Sequence, residues 1–224
     1  MIITKSKKLE DVLESLKGAK KVLITGCAEC STVSRTGGEN EVKAMAETLT
    51  ANGFEVVGTV VCEIGCNKNN VKKELKPFKD TPYDAVLVMS CGDGVQTMAG
   101  NVDVPVYPAS DTMFLGEIER VTLFSQACKM CGDCVLGRTA GVCPITKCAK
   151  SLVNGPCGGQ KNGKCEVNPE NDCAWIMIYN RMKDIGQEQQ FIDQLLEDKP
   201  HGDHAYPRTV NLKEEKSAKE EPAE

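Results

Sequence analysis

Short apolar runs rich in β-branched residues alternate with helix-spaced segments over the first 120 residues of the chain. The runs KKVLITGC, FEVVGTVVC, YDAVLVMSCG and VDVPVYP have the length and composition of buried strands. Between the first two, GGENEVKAMAETLTANG places Val42, Met45 and Leu49 on one helical face, and NKNNVKKELKPF predicts a second helix that ends before Pro77. This order predicts an α/β fold over residues 1–120, with a small parallel Rossmann-like sheet and flanking helices.

The pattern changes after residue 120. Cysteines, glycines and short polar turns dominate residues 121–185, and no strand or helix pattern is expected before Cys173. CAWIMIYNRMKDIG then predicts a C-terminal helix, with Trp175, Ile178 and Met182 on a stripe that packs into a core. Residues 186–224 form a polar tail that could bind a partner, with a short helix predicted over EQQFIDQLLED and a disordered end over LKEEKSAKEEPAE.

Composition and charge exclude several classes of protein. A formal net charge of −5 gives no basic patch for nucleic acid, which is bound through clustered Lys and Arg. The N-terminal segment MIITKSKKLEDVLESL lacks the apolar core and the cleavage site of a signal peptide. No apolar stretch approaches the roughly 18 residues of a membrane helix. We therefore expect a cytoplasmic protein without a membrane span.

The most unusual feature of the composition is its 13 cysteines. A reducing cytosol keeps thiols free, so clustered cysteines in a cytoplasmic protein favour metal binding over disulfides. The odd number of cysteines also argues against a disulfide framework.

Eight of these cysteines fall in the second segment. The first three have the spacing C-x2-C-x2-C, and the fourth is followed by proline, as in bacterial ferredoxins, although the third gap is eight residues here rather than three. The eight are Cys128, Cys131, Cys134, Cys143, Cys148, Cys157, Cys165 and Cys173. Eight thiolates suffice for two four-iron clusters. A structural zinc in one half of the set is the alternative, and spacing does not show which cysteines share a cluster.

The other five cysteines follow the first three predicted strands. Cys27 and Cys30 come after the first strand, Cys62 and Cys66 after the second, and Cys91 after the third. Because the carboxyl ends of parallel strands share one edge of a sheet, the five should converge there. They predict a further metal centre, with buried free thiols as the alternative.

No catalytic constellation accompanies the cysteines. TGCAEC replaces the G-x-G-x-x-G of a dinucleotide-binding loop, although Gly37 and Gly38 could hold an anion at a helix N-terminus. His201 and His204 lie in the polar tail and are weak catalytic candidates. We predict no catalytic residue and no organic cofactor site on this chain.

Several segments resemble a known family: SCGDGVQTMAG, VYPASDTMFLGE, CGDCVL, GVCPITKCAKSLVNGPCGG, GKCEV and DCAW. The family is the methylenetetrahydrofolate reductase C-terminal domain family, which includes the small MetV-type iron–sulfur subunit of two-subunit reductases in acetogenic bacteria. The resemblance extends from about Cys27 to Lys183. It implies a cytoplasmic heteromer of one-carbon metabolism, in the Wood–Ljungdahl pathway, that reduces methylenetetrahydrofolate to methyltetrahydrofolate.

The resemblance also implies cofactors and partners. A flavin-bearing barrel subunit, with FMN or FAD, would carry out the reduction, and this chain would relay electrons to it from a ferredoxin-like donor or a larger redox complex. Two 4Fe-4S clusters are expected in residues 121–185 and a third in the N-terminal domain. The family pattern has a third cysteine where this chain has Ser34, and Cys62 could take the place of that ligand. Because they share a position at strand carboxyl ends, Cys27, Cys30, Cys66 and Cys91 are the preferred ligands, with Cys62 in reserve.

Two functions of different class remain open at this stage. The first is an electron-transfer subunit that is inactive alone. The second is a scaffolding subunit of the same complex, whose zinc ions or non-redox clusters only hold the fold. Metal content separates the two, since zinc sites are colourless and iron–sulfur clusters are brown.

Overall fold

The structure is a computed structural model that describes residues 1–195, Arg208 and Val210. The chain forms two compact units, Met1–Lys129 and Met130–Glu224. The division lies nine residues beyond the predicted boundary at residue 120, since 129 minus 120 is nine. His201, His204 and the predicted disordered end lie outside the described residues, as does most of the proposed tail.

The strands and helices of the described residues follow in chain order. In the first unit they are β1 (Ile2–Ser6), α1 (Leu9–Ser15), β2 (Lys21–Cys27), α2 (Cys30–Val33), α3 (Glu39–Ala51), β3 (Glu55–Cys62), α4 (Lys68–Leu75), β4 (Ala85–Met89), α5 (Gly92–Ala99), β5 (Val106–Pro108), β6 (Ser110–Arg120) and β7 (Leu123–Cys128). In the second unit they are α6 (Pro144–Lys147), α7 (Ala174–Asp184) and α8 (Glu188–Leu195). Short 3-10 turns cover Lys76–Phe78 and Leu136–Arg138.

The predicted parallel sheet is confirmed. Its strand order is β3-β2-β4-β5, and each neighbouring pair is parallel. All of β4 and nearly all of β2 are buried, which is why both strands read as continuous apolar runs rather than as alternating ones. The register sets Cys27 opposite Cys62 and Gly26 opposite Met89, so the carboxyl ends of β2, β3 and β4 lie side by side.

Helices cover both faces of this sheet. On one face, Val12 of α1 and Leu49 of α3 pack with Ile24 and Leu87. On the other face, Val71 of α4 and Met98 of α5 form a second buried cluster with strand residues. Full burial of an aliphatic side chain of this size contributes about 1.5–3 kcal/mol, so these two layers hold the carboxyl edge of the sheet in place.

A second sheet was not predicted from the sequence. It has the strand order β1-β6-β7 and is antiparallel. The expectation that no strand would occur between residue 121 and Cys173 is therefore wrong for β7. Register shifts interrupt the pairing of β6 with β7 between Leu115 and Gly116 and again between Ile118 and Arg120. These irregularities break the alternation of apolar and polar positions by which a half-buried strand is recognised.

The second unit is largely irregular and has a small core. Trp175, Ile178 and Met182 are buried on one face of α7, as their spacing predicts. Phe191 of α8 packs against them, with its ring centroid 6.2 Å from that of Trp175. The short helix predicted over residues 188–198 is confirmed for Glu188–Leu195. Because this core is small, bound metal could supply part of the folding free energy of this unit.

None of the described helices is both long and apolar enough to span a membrane.

Candidate metal centres

The carboxyl edge of the parallel sheet carries the N-terminal cysteines. Cys27 ends β2, Cys62 ends β3, and Cys91 immediately precedes α5, for which it is the N-cap residue. Cys30 is the first residue of α2, directly beyond Cys27. Cys66 lies in the loop that leads from β3 to α4.

The thiols of Cys27, Cys66 and Cys91 are close enough for their charges to interact. The pKa of Cys66 is raised, first by burial and then by the negative charges of Asp93, Cys91 and Cys27. Mutual repulsion of this kind disfavours three thiolates together in the absence of a cation. A bound cation or iron–sulfur cluster would reverse that penalty, because its positive charge deprotonates coordinating thiols.

A backbone hydrogen bond points at one of these sulfurs. The N–H of Gly65 donates to Sγ of Cys27 over 3.3 Å, within a buried part of the loop after β3. A Cβ at position 65 would lie 3.3–3.4 Å from the side chain of Cys27, so a side chain there would crowd the sulfur. Hydrogen bonds from backbone N–H groups to thiolate sulfur are one of the means by which proteins tune iron–sulfur clusters.

Cys62 lies deeper in the apolar core than the other four N-terminal cysteines. Only 1% of its surface is exposed, and it packs with Leu23, Val71 and Val86 in the core beneath the sheet. Burial raises the pKa of its thiol to about 11, with smaller contributions from the charges of Glu74 and Cys27. Because its sulfur packs among aliphatic side chains of the core, this environment favours a packed thiol over a ligand.

Ser34, at the position of the family's third cysteine, makes a backbone contact. Its Oγ accepts a hydrogen bond from the N–H of Thr4 in β1 over 3.4 Å. The serine hydroxyl therefore ties the loop after β2 to the second sheet. Cys27, Cys30, Cys66 and Cys91 remain the proposed ligand set at this edge.

We expect substitution of Cys62 by alanine to lower the free energy of unfolding by about 1 kcal/mol at pH 8, because a buried sulfur is removed from the core. In the wild-type protein the neutral thiol is favoured up to a pKa of about 11, against 9.0 for an ordinary cysteine. The raised folded-state pKa contributes stability below pH 9, and that contribution is lost as the pH rises through 11. Denaturant unfolding from pH 8 to 11 should therefore show the stability difference between wild type and Cys62→Ala narrowing and then changing sign, because a rise in pKa from 9.0 to about 11 corresponds to about 3 kcal/mol. A gap that stays constant over this range would contradict the buried-thiol assignment.

Four of the C-terminal cysteines surround a single small pocket. The cavity has a volume of about 20 Å³, and Trp175 forms part of its wall. The cysteines that line it are Cys148, Cys157, Cys165 and Cys173. The sequence left the grouping of the eight cysteines open, and the structure brings these four together.

Local backbone contacts explain how cysteines distant in sequence reach this pocket. The N–H of Cys173 donates to the carbonyl of Gly163 over 2.7 Å, and the N–H of Cys165 donates to the carbonyl of Asn171 over 3.0 Å. Gly163 has a φ of +79°, in the left-handed region that glycine adopts at little cost. The turn therefore folds residues 163–173 back on themselves and places Cys165 beside Cys173. The indole N–H of Trp175 donates to the carbonyl of Leu152 and joins the start of α7 to the segment after Cys148.

The environment of Cys165 favours its thiolate. Backbone N–H groups of Asn168, Val167 and Ala149 hydrogen-bond its sulfur and lower the pKa of this thiol below its ordinary value, with Asn168 contributing most. Stabilised thiolates are the form of cysteine that coordinates metal. The pocket is lined by four thiols, the number that a 4Fe-4S cluster takes as ligands.

A charged pair that sequence reasoning missed lies at the same pocket. Lys150 forms an ion pair with Glu166, and Glu166 Oε1 lies 3.4 Å from Sγ of Cys157, which donates to it. Both residues line the pocket with the cysteines. The sequence places Lys150 two residues after Cys148 and Glu166 directly after Cys165, which was the one available sign that they lie near the cysteines. Their pairing is visible only in the tertiary structure.

The remaining cysteines of the second segment lie outside the lining of this pocket. Cys128 ends β7 in the first unit, whereas Cys131, Cys134 and Cys143 belong to the second. Cys143 is the N-cap residue of α6, and its sulfur lies 3.6 Å from Oγ1 of Thr146. Across the part of the chain that the structure describes, no three or more Cys, His, Asp or Glu side chains form a group that could hold a single metal ion. A cluster on this first run of cysteines stays a prediction.

The proposed anion site at Gly37 and Gly38 is occupied by the protein's own groups. The N–H of Gly38 donates to Oε2 of Glu41 over 3.0 Å, so a carboxylate caps the start of α3. Glu39 adds a second acidic side chain in the same turn. Two carboxylates at this helix start repel a bound anion.

Comparison with protein families adds an independent finding. Residues 107–201 match the family model described as methylene-tetrahydrofolate reductase C terminal. The match covers less than half of the 224 residues and includes neither residues 27–106 nor the cysteines of the parallel sheet. It does include the four cysteines of the pocket together with Lys150 and Glu166. Searches of curated proteins and of solved structures gave no match.

Proposed function

We propose that this chain is an iron–sulfur electron-transfer subunit of a methylenetetrahydrofolate reductase complex. The observation that carries the proposal is the pocket lined by Cys148, Cys157, Cys165 and Cys173, four thiols of the kind that hold a 4Fe-4S cluster. The family match supports the assignment to this reductase. The cluster would supply one-electron chemistry, and the protein would hold it and set its potential.

The chain's own residues have defined roles in this proposal. The four pocket cysteines would be the ligands, and the backbone N–H groups around Cys165 would favour its thiolate form. Cys27, Cys30, Cys66 and Cys91 would hold a second centre at the sheet edge, with the N–H of Gly65 directed at Cys27. The second cluster expected in residues 121–185 stays a prediction from the number of cysteines there.

The reduction itself is assigned to a partner. The described residues form one four-stranded and one three-stranded sheet, and neither is the eight-stranded barrel expected of the flavin-bearing subunit. We propose that this chain passes electrons to FMN or FAD on such a barrel, and receives them from a ferredoxin-like donor or a larger redox complex.

Metal analysis of anaerobically purified full-length protein tests the proposal. We expect a brown protein with about four iron and four sulfide per occupied centre, because each 4Fe-4S cluster contains four of each. Stoichiometric zinc with negligible iron would exclude the redox role and leave the chain a scaffold of the complex. The same measurement on the complex with its barrel partner shows whether assembly is needed to retain the clusters.

A further inference from the structure

The Lys150–Glu166 ion pair brings one positive and one negative charge to the four-cysteine pocket. The carboxylate of Glu166 contacts both Lys150 and the sulfur of Cys157. The ammonium of Lys150 in turn interacts with the thiols of Cys157 and Cys148 as well as with Glu166. Two opposite charges, each on a side chain that is not a ligand, therefore line the pocket together with the four cysteines.

We propose that Lys150 and Glu166 set the reduction potential of the centre held by Cys148, Cys157, Cys165 and Cys173, Lys150 raising it and Glu166 lowering it. This inference rests on the proposed function, since it concerns the cluster that the four cysteines would hold. It assigns a role to two residues of this chain that the cysteine pattern alone does not identify.

The sign of each effect follows from charge. Reduction adds one electron to the cluster and makes it more negative, so a nearby cation stabilises the reduced form and a nearby anion destabilises it. Lys150 and Glu166 have 42% and 34% of their side-chain surface exposed, so solvent weakens both effects without removing them. With the pair intact, the two effects partly cancel.

The backbone holds Glu166 in this position. A Cβ at Gly159 would overlap the carboxylate of Glu166, so a side chain at position 159 would displace this carboxylate. Glu166 directly follows Cys165, whose sulfur is held by three backbone N–H groups. The carboxylate of Glu166 thus lies between Lys150, Gly159 and Cys157, with 34% of its side-chain surface exposed.

The test is a redox titration of anaerobic full-length protein, followed by visible and electron paramagnetic resonance spectroscopy. The component of interest is the one that Cys165→Ala eliminates. We expect Lys150→Gln to shift its reduction equilibrium at least about threefold towards the oxidised form, or about 28 mV for a one-electron couple. We expect Glu166→Gln to shift it in the opposite direction by a similar factor.

Controls separate an electrostatic role from a structural one. Lys150→Arg keeps the positive charge and should keep the wild-type potential. Lys183→Gln removes a charge from the last turn of α7, away from the pocket lining, and should also leave the potential unchanged. If Lys150→Gln fails to retain iron, the reduction potentials of Glu166→Gln and Lys150→Arg are compared with that of the wild type instead.

Two outcomes would overturn the inference. If clusters are retained and the potentials of Lys150→Gln and Glu166→Gln do not move, or move in the same direction, the pair does not tune the centre. This result would leave the proposed function intact. Wild-type protein without any cluster would instead overturn the proposed function, and this inference with it.

Discussion

Substituting Cys165 by alanine is expected to remove about four iron atoms per chain, since a 4Fe-4S cluster that loses one of four thiolate ligands is no longer held. Cys165 is the pocket cysteine whose thiol pKa is lowered by neighbouring backbone N–H groups, so its substitution removes a stabilised thiolate. Iron and sulfide analysis of anaerobic protein, together with the visible charge-transfer absorption, measures the change. The first unit should keep its fold, because its two core layers lie within Met1–Lys129.

Cys62→Ala is the matched control for this experiment. It also removes one thiol, but from the apolar core beneath the sheet, where the pKa of the thiol is raised to about 11. We expect its iron content to equal that of the wild type. Cys91→Ala should remove the iron of one cluster at the sheet edge and leave the pocket centre intact. Unchanged iron in Cys165→Ala would show that the four thiols around the pocket do not hold a cluster.

The second large effect concerns electron transfer in the assembled complex. With the flavin-bearing barrel partner that we propose and a low-potential donor, the protein should support reduction of methylenetetrahydrofolate, whereas this chain alone should be inactive. Chemical removal of the clusters without dissociation of the subunits should reduce donor-dependent turnover to background, because the path from donor to flavin is then interrupted. Stopped-flow measurement of flavin reduction, with steady-state turnover, provides the readout.

A point substitution makes the same test without chemical treatment. Cys131→Ala should slow the entry of electrons while the partner still binds flavin, and Cys62→Ala should leave both unchanged. Full donor-dependent turnover by a cluster-free complex would end the electron-transfer proposal. The chain would then be a scaffold whose cysteines serve the fold alone.

The fold of the first unit was largely readable from the sequence. Strands β2 and β4 are buried on both faces, so they appear as unbroken apolar runs, and α3 shows Val42 and Leu49 at helical spacing. The parallel order then follows from the alternation of strands and helices. The stripe of Trp175, Ile178 and Met182 on α7 was predictable for the same reason, since periodicity in sequence maps directly onto one face of a helix.

The second sheet could not be predicted from the sequence. β1 and β6 lie more than a hundred positions apart, with Ile2 opposite Leu115, and a single sequence contains no signal for pairing over such a separation. The register shifts in β6 also remove the period of two that marks a strand. The pairing is a property of the folded chain rather than of either segment.

The candidate metal centres were also predictable only in part from the sequence. The number and spacing of the cysteines predict metal binding by themselves, because thiols cluster in a reducing compartment mainly to hold metal. Their convergence at the sheet edge follows from the parallel order, since Cys27, Cys62 and Cys91 each follow a strand. The different character of Cys62 does not follow, because only tertiary packing decides whether a thiol at a strand end faces solvent or the core.

The sequence was sufficient to predict an α/β domain followed by a cysteine-rich segment, and residues 107–201 are similar to the family described as methylene-tetrahydrofolate reductase C terminal. Only the tertiary structure decided which cysteines share a pocket, and that Lys150 and Glu166 stand beside them. The physical reason is that the segment from Cys148 to Trp175 has no regular periodicity. Its turns, its left-handed residues and its backbone hydrogen bonds set which sulfurs meet, and those features appear only when the chain is folded.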